Sequence, residues 1–287
     1  MSEVKKAGVL GAGMMGSEIA LCFAMAGIEV AMKDVSMDFA KGGMERAGKA
    51  LDRLVKKGMF DDGSREKTLA LMHPTDKFDL FSDVDIVIEA VLEDLEVKKE
   101  TFAELDKVCK PECIFATNTS SLRVTALATS VGEDRRDRFL GTHFFSPVAL
   151  MKLVEVVPGL ETAEEVVDKT LEVCRTIGKT PIRVKDVAGF AVNRLLHAMW
   201  IEAERCVEEG VATPEDIDIG CKLGLGHPVG VFALMDIVGN DLTLDIQDIL
   251  YDVYGQRFMP RPILRQVVDA GHCGRKTGRG WYDYRKK

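Results

Sequence analysis

A glycine-rich turn near the amino terminus constrains the fold more than any other part of the chain. Lys6 to Leu10 has the apolar pattern of a short strand, Gly11-Ala-Gly-Met-Met-Gly16 follows at once, and residues 17–26 have helical spacing. In a G-x-G-x-x-G turn the first glycine permits the tight turn, the second lets a ligand approach the backbone, and the third lets helix and strand pack closely. The N–H groups at the helix amino terminus then face a phosphate. We therefore predict a strand-turn-helix unit that binds a dinucleotide through Gly11, Gly13, Met14, Met15 and Gly16.

An acidic residue after the next predicted strand favours this interpretation over a glycine turn without a ligand. The strand covers residues 28–32, and Asp34 lies 23 residues beyond Gly11. A carboxylate at this place accepts hydrogen bonds from the ribose of adenosine and repels a 2′-phosphate. Lys33 beside it weakens that repulsion. The predicted cofactor is NAD, in preference to NADP.

Strands and helices alternate over residues 1–184, and then the pattern changes. The alternation predicts an α/β fold with a doubly wound, Rossmann-type, mostly parallel sheet, whose ligands lie beyond the carboxyl ends of the strands. After Asp186 no strand pattern recurs, and helical patterns dominate. We predict an NAD-binding domain at 1–184 and an all-helical substrate and dimerisation domain at 185–287. The apolar surface of such helices is usually buried against a second subunit, so a homodimer is expected.

The composition narrows the class of protein. Hydrophobic residues make up 46% of the 287 residues, and the formal net charge is −8. This charge argues against a surface for nucleic acid or anionic lipids. No apolar run approaches the ~18 residues of a membrane span, and the first residues lack the core of a signal peptide. The seven cysteines include no C-x-x-C pair, so we expect reduced thiols, no metal site and a cytoplasmic protein.

One histidine has an acidic residue placed to assist it in catalysis. Arg138 to Thr142 has the pattern of a strand that ends at His143, and residues 150–157 form a second strand that contains Glu155. A carboxylate between valines is costly to bury unless it is paired. Paired with one ring nitrogen of His143, it would fix the tautomer while the other nitrogen takes a proton from a substrate hydroxyl. This stretch alone is equally compatible with an exposed Glu155 and a histidine that only fills a turn.

Other polar residues have both a binding and a purely structural interpretation. Ser120 follows the strand at residues 114–117 and either contacts a ligand or caps the next helix. Glu93 and Lys98 lie in the loop and helix start after the preceding strand. The helix predicted over residues 41–57 carries a basic stripe of Arg46, Lys49, Arg53, Lys56 and Lys57. This stripe either binds the phosphates of a second ligand such as coenzyme A or is a solvated helix face, which the pattern alone slightly favours.

The glycine-rich tail from Gly274 to Tyr284 has the composition of a phosphate loop. It does not lie between a strand and a helix, as a phosphate loop would. We therefore predict a turn whose aromatic side chains dock on the helical domain.

Taken together, these motifs resemble the 3-hydroxyacyl-CoA dehydrogenase family over nearly the whole chain, and the short bacterial 3-hydroxybutyryl-CoA dehydrogenases are the most similar group. Beyond the glycine turn, the resemblance rests on Asn118-Thr-Ser-Ser-Leu122, His143-Phe-Phe, Met151-Lys-Leu-Val-Glu155, Gly189-Phe-Ala-Val-Asn193-Arg194, Gly226-His-Pro228 and Lys276-Thr-Gly278. It implies reversible, NAD-dependent oxidation of a (3S)-3-hydroxyacyl-CoA, as in β-oxidation of fatty acids. His143 is then the catalytic base, Glu155 its partner, and Ser120 and Asn193 position the oxygen atoms of the substrate.

The resemblance also implies which residues bind the cofactor and coenzyme A. Cofactor contacts fall on the glycine turn, Asp34, Glu93 and Lys98, with Ser120 near the nicotinamide. Lys49 and Arg53 meet the phosphates of coenzyme A, which reverses the preference for a solvated face. Ser146 stands where members commonly have asparagine, and the loss of an amide near the nicotinamide implies a change either in the cofactor contacts or in the shape of the pocket.

Two other functions are open on the same scaffold. A dehydrogenase of a free hydroxy acid or sugar acid would not need the basic stripe. A non-catalytic NAD-binding protein would need neither the pairing of His143 with Glu155 nor Asn193.

Overall fold

Within residues 4–285, the part of the chain that the computed structural model describes, eight strands form one sheet. In chain order they are β1 (Lys6–Leu10), β2 (Glu29–Lys33), β3 (Met72–Thr75), β4 (Ile86–Glu89), β5 (Ile114–Thr117), β6 (Phe139–Phe144), β7 (Leu153–Pro158) and β8 (Thr180–Arg183).

Across the sheet the order is β3-β2-β1-β4-β5-β6-β7-β8. Neighbouring strands are parallel except β6 and β7, which are antiparallel. This confirms the predicted doubly wound, mostly parallel sheet. From β1 the chain adds β2 and β3 on one side and the later strands on the other side. Ligands of such sheets bind at the point between β1 and β4 where this order reverses.

Helices connect these strands and cover the sheet with apolar side chains. They are α1 (Met14–Met25), α2 (Met37–Lys56), α3 (Arg65–Ala70), α4 (Leu95–Val108), α5 (Val124–Ala128), α6 (Glu133–Arg136) and α7 (Glu164–Thr176). Ser36 starts α2 by accepting a hydrogen bond from the Phe39 N–H, and Asp94 starts α4 by accepting from two N–H groups. Ile19 of α1 and Leu51 of α2 are fully buried in the same core as the sheet residue Val30.

Among the described residues, those up to Val187 form one compact unit and those from Ala188 onward form another. The predicted change of architecture, after residue 184, falls slightly earlier. Throughout the described range, no helix combines the length and apolar character that crossing a bilayer requires.

One strand was missed in the sequence. His73 lies in β3, a strand that the sequence pattern does not predict, which pairs in parallel with β2 at the edge of the sheet. The strand is short and contains Pro74, which lacks an N–H and is tolerated at a sheet edge. The signal of alternation was therefore too weak to detect.

The second unit is helical, as predicted. Its helices are α8 (Val192–Glu208), α9 (Pro214–Gly224), α10 (Val231–Val238), α11 (Asn240–Tyr254) and α12 (Pro262–Asp269). Trp200, Phe232 and Met235 are fully buried at its centre. Gly239 separates α10 from α11 because it adopts φ +111°, a backbone conformation that a helix cannot include.

The glycine-rich tail docks on this unit, which confirms the prediction for it. The Trp281 ring lies 4.6 Å from the Phe232 ring in an edge-to-face arrangement. The buried Asp236 carboxylate accepts hydrogen bonds from the N–H groups of Trp281 and Tyr282 at 2.9 and 3.0 Å, and from the Tyr284 hydroxyl at 3.0 Å. The tail is therefore a structural part of the helical unit.

The helical unit also contains a buried carboxyl group. Glu204 and Gln247 are each 0% exposed, and the Gln247 amide donates to Glu204 Oε1 over 3.0 Å. Burial raises the pKa of Glu204 to about 8, from an ordinary value of 4.5. Burial also lowers the pKa of His197 to about 4, from 6.5. At neutral pH both side chains are therefore uncharged.

Stability should fall as the pH rises from 6.5 to 8. Over this range the native state keeps the proton of Glu204 and the unfolded state has lost it, so the stabilisation by this proton, complete below pH 4.5, disappears as the pH passes 8. His197 acts in the opposite direction and mainly below pH 6.5. The free energy of unfolding, measured by urea denaturation, should decrease by up to about 1.4 kcal/mol per pH unit.

Glu204→Gln should remove most of this slope. The exposed Glu202→Gln on the same helix should keep it, and an unchanged slope in Glu204→Gln would refute the assignment.

Candidate active site

The glycine turn between β1 and α1 has a crowded side and an open side. Gly11 has φ +84°, and a Cβ there would lie 2.4 Å from the Ala90 carbonyl oxygen. A Cβ on Gly16 would lie 1.7 Å from the Gly11 carbonyl oxygen. At Gly13, by contrast, no atom of the described residues other than those of the glycine and its two chain neighbours lies within 4 Å of the Cβ position. The turn thus needs glycine for packing at two positions and leaves its backbone accessible at the third, which fits a bound pyrophosphate.

Asp34 links the end of β2 to this turn. Its Oδ2 accepts a hydrogen bond of 2.7 Å from the Ala12 N–H, and its Oδ1 accepts one of 2.7 Å from the Val35 N–H. A carboxylate oxygen accepts more than one hydrogen bond, so the ribose hydroxyls of a nucleotide can still bind there. The Lys33 ammonium lies 4.5 Å from the centre of the Phe78 ring and 3.3 Å from the Asp34 carbonyl oxygen. These residues therefore fit NAD.

His143 and Glu155 lie directly opposite each other on β6 and β7. His143 Nδ1 is 2.8 Å from Glu155 Oε2, and the two residues are 6% and 0% exposed. The interpretation in which Glu155 lies on an exposed strand face is therefore wrong. The strand also continues through Phe144. His143 is therefore the second-to-last residue of β6 and is paired within the strand. The antiparallel pairing holds both side chains on rigid strands.

Two neighbours hold the His143 end of β6. The Phe144 N–H donates to Asn118 Oδ1 over 2.9 Å, which ties this strand to the segment after β5. The Phe145 ring lies 4.5 Å from the His143 ring. The imidazole is thus restrained by its carboxylate partner and by an aromatic contact. A histidine restrained in this way can exchange a proton with a ligand in a defined direction.

A buried ion cluster joins the carboxyl ends of β4 and β5. Glu89 is 0% exposed and Lys98 is 1% exposed. Lys98 Nζ lies 2.6 Å from Glu89 Oε1 and 3.3 Å from Glu93 Oε2. Glu89 also accepts hydrogen bonds from the Val91 N–H at 2.8 Å and the Thr117 hydroxyl at 2.7 Å. Because buried charges persist only when paired and hydrogen-bonded, this cluster fixes the two strand ends relative to each other.

Glu93 extends the cluster to the segment that carries Ser120. Its Oε1 accepts hydrogen bonds from the Thr119 hydroxyl at 2.5 Å, from the Ser120 N–H at 2.9 Å, and from the Ser121 N–H at 3.1 Å and hydroxyl at 2.9 Å. Partial burial opposes ionisation, but the Lys98 ammonium and these hydrogen bonds outweigh it and lower the pKa of Glu93. Glu93 is therefore an anion that orients the Ser120 backbone. Its side chain is 37% exposed, which leaves it accessible to a ligand.

Part of the basic stripe lines a cavity of about 290 Å³ next to the glycine turn. Lys49 and Arg53 contribute to its wall, and so does Ser146, whose hydroxyl lies 3.9 Å from Met14 Sδ. The remaining lining residues are Met14, Ser17, Glu18, Arg46 and Pro147. The Arg53 side chain is 67% exposed. The stripe is thus next to the dinucleotide turn, where it can attract an anionic ligand.

In the first unit, the predicted residues lie along one edge of the sheet. The glycine turn follows β1, Asp34 follows β2, Glu93 follows β4, Ser120 follows β5, and His143 lies at the end of β6. These are the carboxyl ends of parallel strands, where ligands of such sheets bind. Asn193 is at the start of α8 in the second unit and is half-buried.

Two acidic residues in this region were not recognised in the sequence. Glu89 ends the apolar run Val-Asp-Ile-Val-Ile-Glu, so the argument that singled out Glu155 between valines applied equally to it. Glu18 is a charged residue within the otherwise apolar helix after the glycine turn, and it is only 6% exposed. A carboxylate inside an apolar segment was the signal at both positions.

Comparison with known proteins agrees with this geometry. Residues 6–187 match the sequence profile described as "3-hydroxyacyl-CoA dehydrogenase, NAD binding domain", and residues 189–284 match that of the C-terminal domain. The chain is 42% identical to a probable 3-hydroxybutyryl-CoA dehydrogenase of Deinococcus radiodurans, over 97% of this chain and 100% of the relative. It is 41% identical to the mitochondrial hydroxyacyl-coenzyme A dehydrogenase of Sus scrofa, over 98% and 92%.

Solved structures lead to the same assignment. The crystal structure of (S)-3-hydroxybutyryl-CoA dehydrogenase from Ralstonia eutropha matches with a TM-score of 0.94 and 38% identity, over 99% of this chain and 100% of the other. The resemblance noted in the sequence motifs is confirmed over both units. The chain belongs to the 3-hydroxyacyl-CoA dehydrogenase family.

Proposed function

We propose that this chain is an NAD-dependent oxidoreductase that interconverts a (3S)-3-hydroxyacyl-CoA and the corresponding 3-oxoacyl-CoA. The proposal rests mainly on the 2.8 Å contact between His143 Nδ1 and the fully buried Glu155. This pair lies on the side of the sheet formed by the carboxyl ends of the parallel strands, and the glycine turn lies on the same side. A proton acceptor and a dinucleotide site are therefore on one side of the sheet. The names of the relatives support the substrate class.

His143 acts as the general acid and base. In oxidation it takes the proton of the C3 hydroxyl through Nε2, the ring nitrogen opposite the one that contacts Glu155. NAD, when bound, supplies the hydride acceptor. Glu155 stabilises the imidazolium that results, and in the reverse direction the imidazolium returns the proton to the oxygen at C3. A positioned acid or base of this kind contributes roughly 10²–10⁴-fold to the rate.

The remaining site residues position the ligands. Ser120 and Asn193 hold oxygen atoms of the substrate, and Glu93 orients Ser120 through its backbone N–H. Glu93, Lys98 and Ser146 contribute to the nicotinamide side of the cofactor site. Because Lys98 is 1% exposed and bonded to two carboxylates, its contribution is to hold Glu93 in place.

Lys49 and Arg53 bind the phosphates of coenzyme A in this proposal. Replacing both by alanine should raise the KM for acetoacetyl-CoA at least about tenfold, because each removes a charged hydrogen bond. The KM for NADH should stay within about twofold of the wild-type value, since charges on the adenosine side at Asp34 are unchanged. Steady-state oxidation of NADH measures both constants.

The matched control is the double variant Lys56→Ala, Lys57→Ala. It removes the same charge from the last residue of the same helix and the residue after it, at positions that do not line the cavity. An equal rise of KM in this control would show a general loss of electrostatic attraction instead of a phosphate site. An unchanged KM in the Lys49 and Arg53 variant, with turnover of a free 3-oxo acid, would favour the hydroxy acid dehydrogenase.

A homodimer formed through the helical unit completes the proposal. Large apolar side chains are exposed on or next to three of its helices: Ile219, Leu223, Leu225, Ile237, Leu242, Ile249 and Val253. Exposed apolar surface of this extent favours burial against a second copy, and the molar mass in solution tests it. We place the enzyme in the cytoplasm, since its seven cysteines are free thiols.

A further inference from the structure

The loop over residues 145–151, followed by Lys152, connects the two strands that carry His143 and Glu155. Its Phe145 ring lies 4.5 Å from the His143 ring, and its Val148 is 1% exposed. Within the loop, the N–H groups of Leu150 and Met151 donate to the Pro147 carbonyl oxygen at 3.0 and 2.9 Å. The position of this loop therefore determines what packs against the imidazole.

Glu18 holds the loop from α1. It is 6% exposed, and its Oε2 accepts a hydrogen bond of 2.9 Å from the Ala149 N–H. Its Oε1 lies 3.4 Å from Arg53 Nη2. The same carboxylate thus contacts the loop between the strands of the candidate pair and the arginine of the basic stripe.

Lys179 holds the loop from the segment just before β8. It is 8% exposed, and its ammonium donates to the carbonyl oxygens of Val148 and Met151, the latter over 3.0 Å. Burying a charge against backbone carbonyl groups is costly. The arrangement is therefore informative: three backbone groups of one short loop are bonded to two buried charges from two different elements.

We propose that Glu18 and Lys179 are positioning residues, which hold the 145–151 loop so that Phe145 and His143 stay aligned for proton transfer. The inference rests on the proposed dehydrogenase function. Neither residue touches the reacting atoms in this proposal: both act through the loop, and Glu18 also contacts Arg53. A displacement of about 1 Å at a reacting group can cost about 10²-fold in rate, so even a small relaxation of this loop should be measurable.

Three variants test the proposal. Glu18→Ala removes the acceptor for the Ala149 N–H, Glu18→Gln keeps an acceptor but removes the charge, and Lys179→Met removes the ammonium while keeping the length of the side chain. At saturating acetoacetyl-CoA and NADH, we expect kcat to fall about tenfold in Glu18→Ala and Lys179→Met, and by no more than about twofold in Glu18→Gln. The dissociation constant of NADH, measured by fluorescence, should change by less than about twofold in all three. A primary deuterium isotope effect on kcat should grow in the two slow variants, because the chemical step then limits turnover.

Asp106→Ala is the matched control. Like Glu18, Asp106 accepts a hydrogen bond from a backbone N–H, that of Gly132 at 2.8 Å. It also pairs with an arginine, Arg135, as Glu18 pairs with Arg53. Its partners are on α6 and the turn before it, outside the 145–151 loop. It should lose a similar amount of thermal stability while keeping kcat and the isotope effect of the wild type.

The outcomes separate this inference from the proposed function. Wild-type kcat in Glu18→Ala would overturn the inference, even if Lys179→Met does not fold. An equal loss of kcat in Asp106→Ala, or in Glu18→Gln, would overturn it as well, because the effect would then not depend on the bond to Ala149. Absence of turnover in the wild-type protein would instead refute the dehydrogenase function.

Discussion

His143→Gln should lower kcat by roughly 10²–10⁴-fold, the contribution of a positioned general acid or base. Glutamine keeps a polar side chain of similar reach, but it cannot accept the hydroxyl proton. The glycine turn follows β1 and Asp34 follows β2, whereas His143 lies in β6, three strands from β1 across the sheet. NADH should therefore bind with nearly unchanged affinity. Steady-state turnover with acetoacetyl-CoA and fluorescence titration of NADH measure the two effects.

His73→Gln is the control for this prediction. His73 is half-buried on β3 and lies 3.1 Å from Glu29 at the sheet edge. Its replacement should leave turnover unchanged. Near-normal turnover in His143→Gln would remove the histidine from the mechanism.

Glu155→Gln should also cost orders of magnitude in kcat while preserving the fold. Glutamine fits the same buried space, but it carries no charge to stabilise the imidazolium and can favour the wrong tautomer. Replacing the carboxylate by an amide in a comparable histidine pair costs about 10⁴-fold. The melting temperature should stay close to that of the wild type, because the amide has the volume of the carboxylate and can still form a hydrogen bond with the imidazole.

Glu161→Gln provides the comparison for this substitution. Its carboxylate is about half exposed and lies 3.6 Å from Arg136, so its loss should alter neither turnover nor melting temperature appreciably. If Glu155→Gln kept wild-type turnover with an unaltered fold, Glu155 would be a structural partner of His143 without a catalytic effect.

Much of the fold followed from local signals in the sequence. The glycine turn could be located from its G-x-G-x-x-G spacing. The structure gives the reason for this spacing, because a side chain at Gly11 or Gly16 would collide with a backbone oxygen. The helical character of the second unit followed from periodicity, but the break at Gly239 did not, because a single glycine within an apolar pattern does not reveal its φ angle. β3 was missed for a related reason, since a short edge strand that contains proline carries little alternation.

The candidate site was only partly predictable, because its bonds join distant segments. Glu155 stood out as a carboxylate between valines, yet its position opposite His143 depends on the antiparallel register of β6 and β7. The bonds of Lys98 to Glu89 and Glu93 depend on how α4 returns to the end of β4. Glu18 contacts Ala149 of the 145–151 loop across 131 positions of the chain. Lys179 contacts Met151 of the same loop across 28 positions, from a separate element. No local pattern encodes such contacts.

Side-by-side assays of the wild-type protein test the central claim most directly. NADH oxidation is followed with acetoacetyl-CoA, with a longer 3-oxoacyl-CoA and with a free 3-oxo acid at equal concentrations. We expect turnover with at least one thioester and a much lower kcat/KM with the free acid. Turnover of the free acid at equal or greater kcat/KM, or no oxidation of NADH with any of the three, would contradict the account.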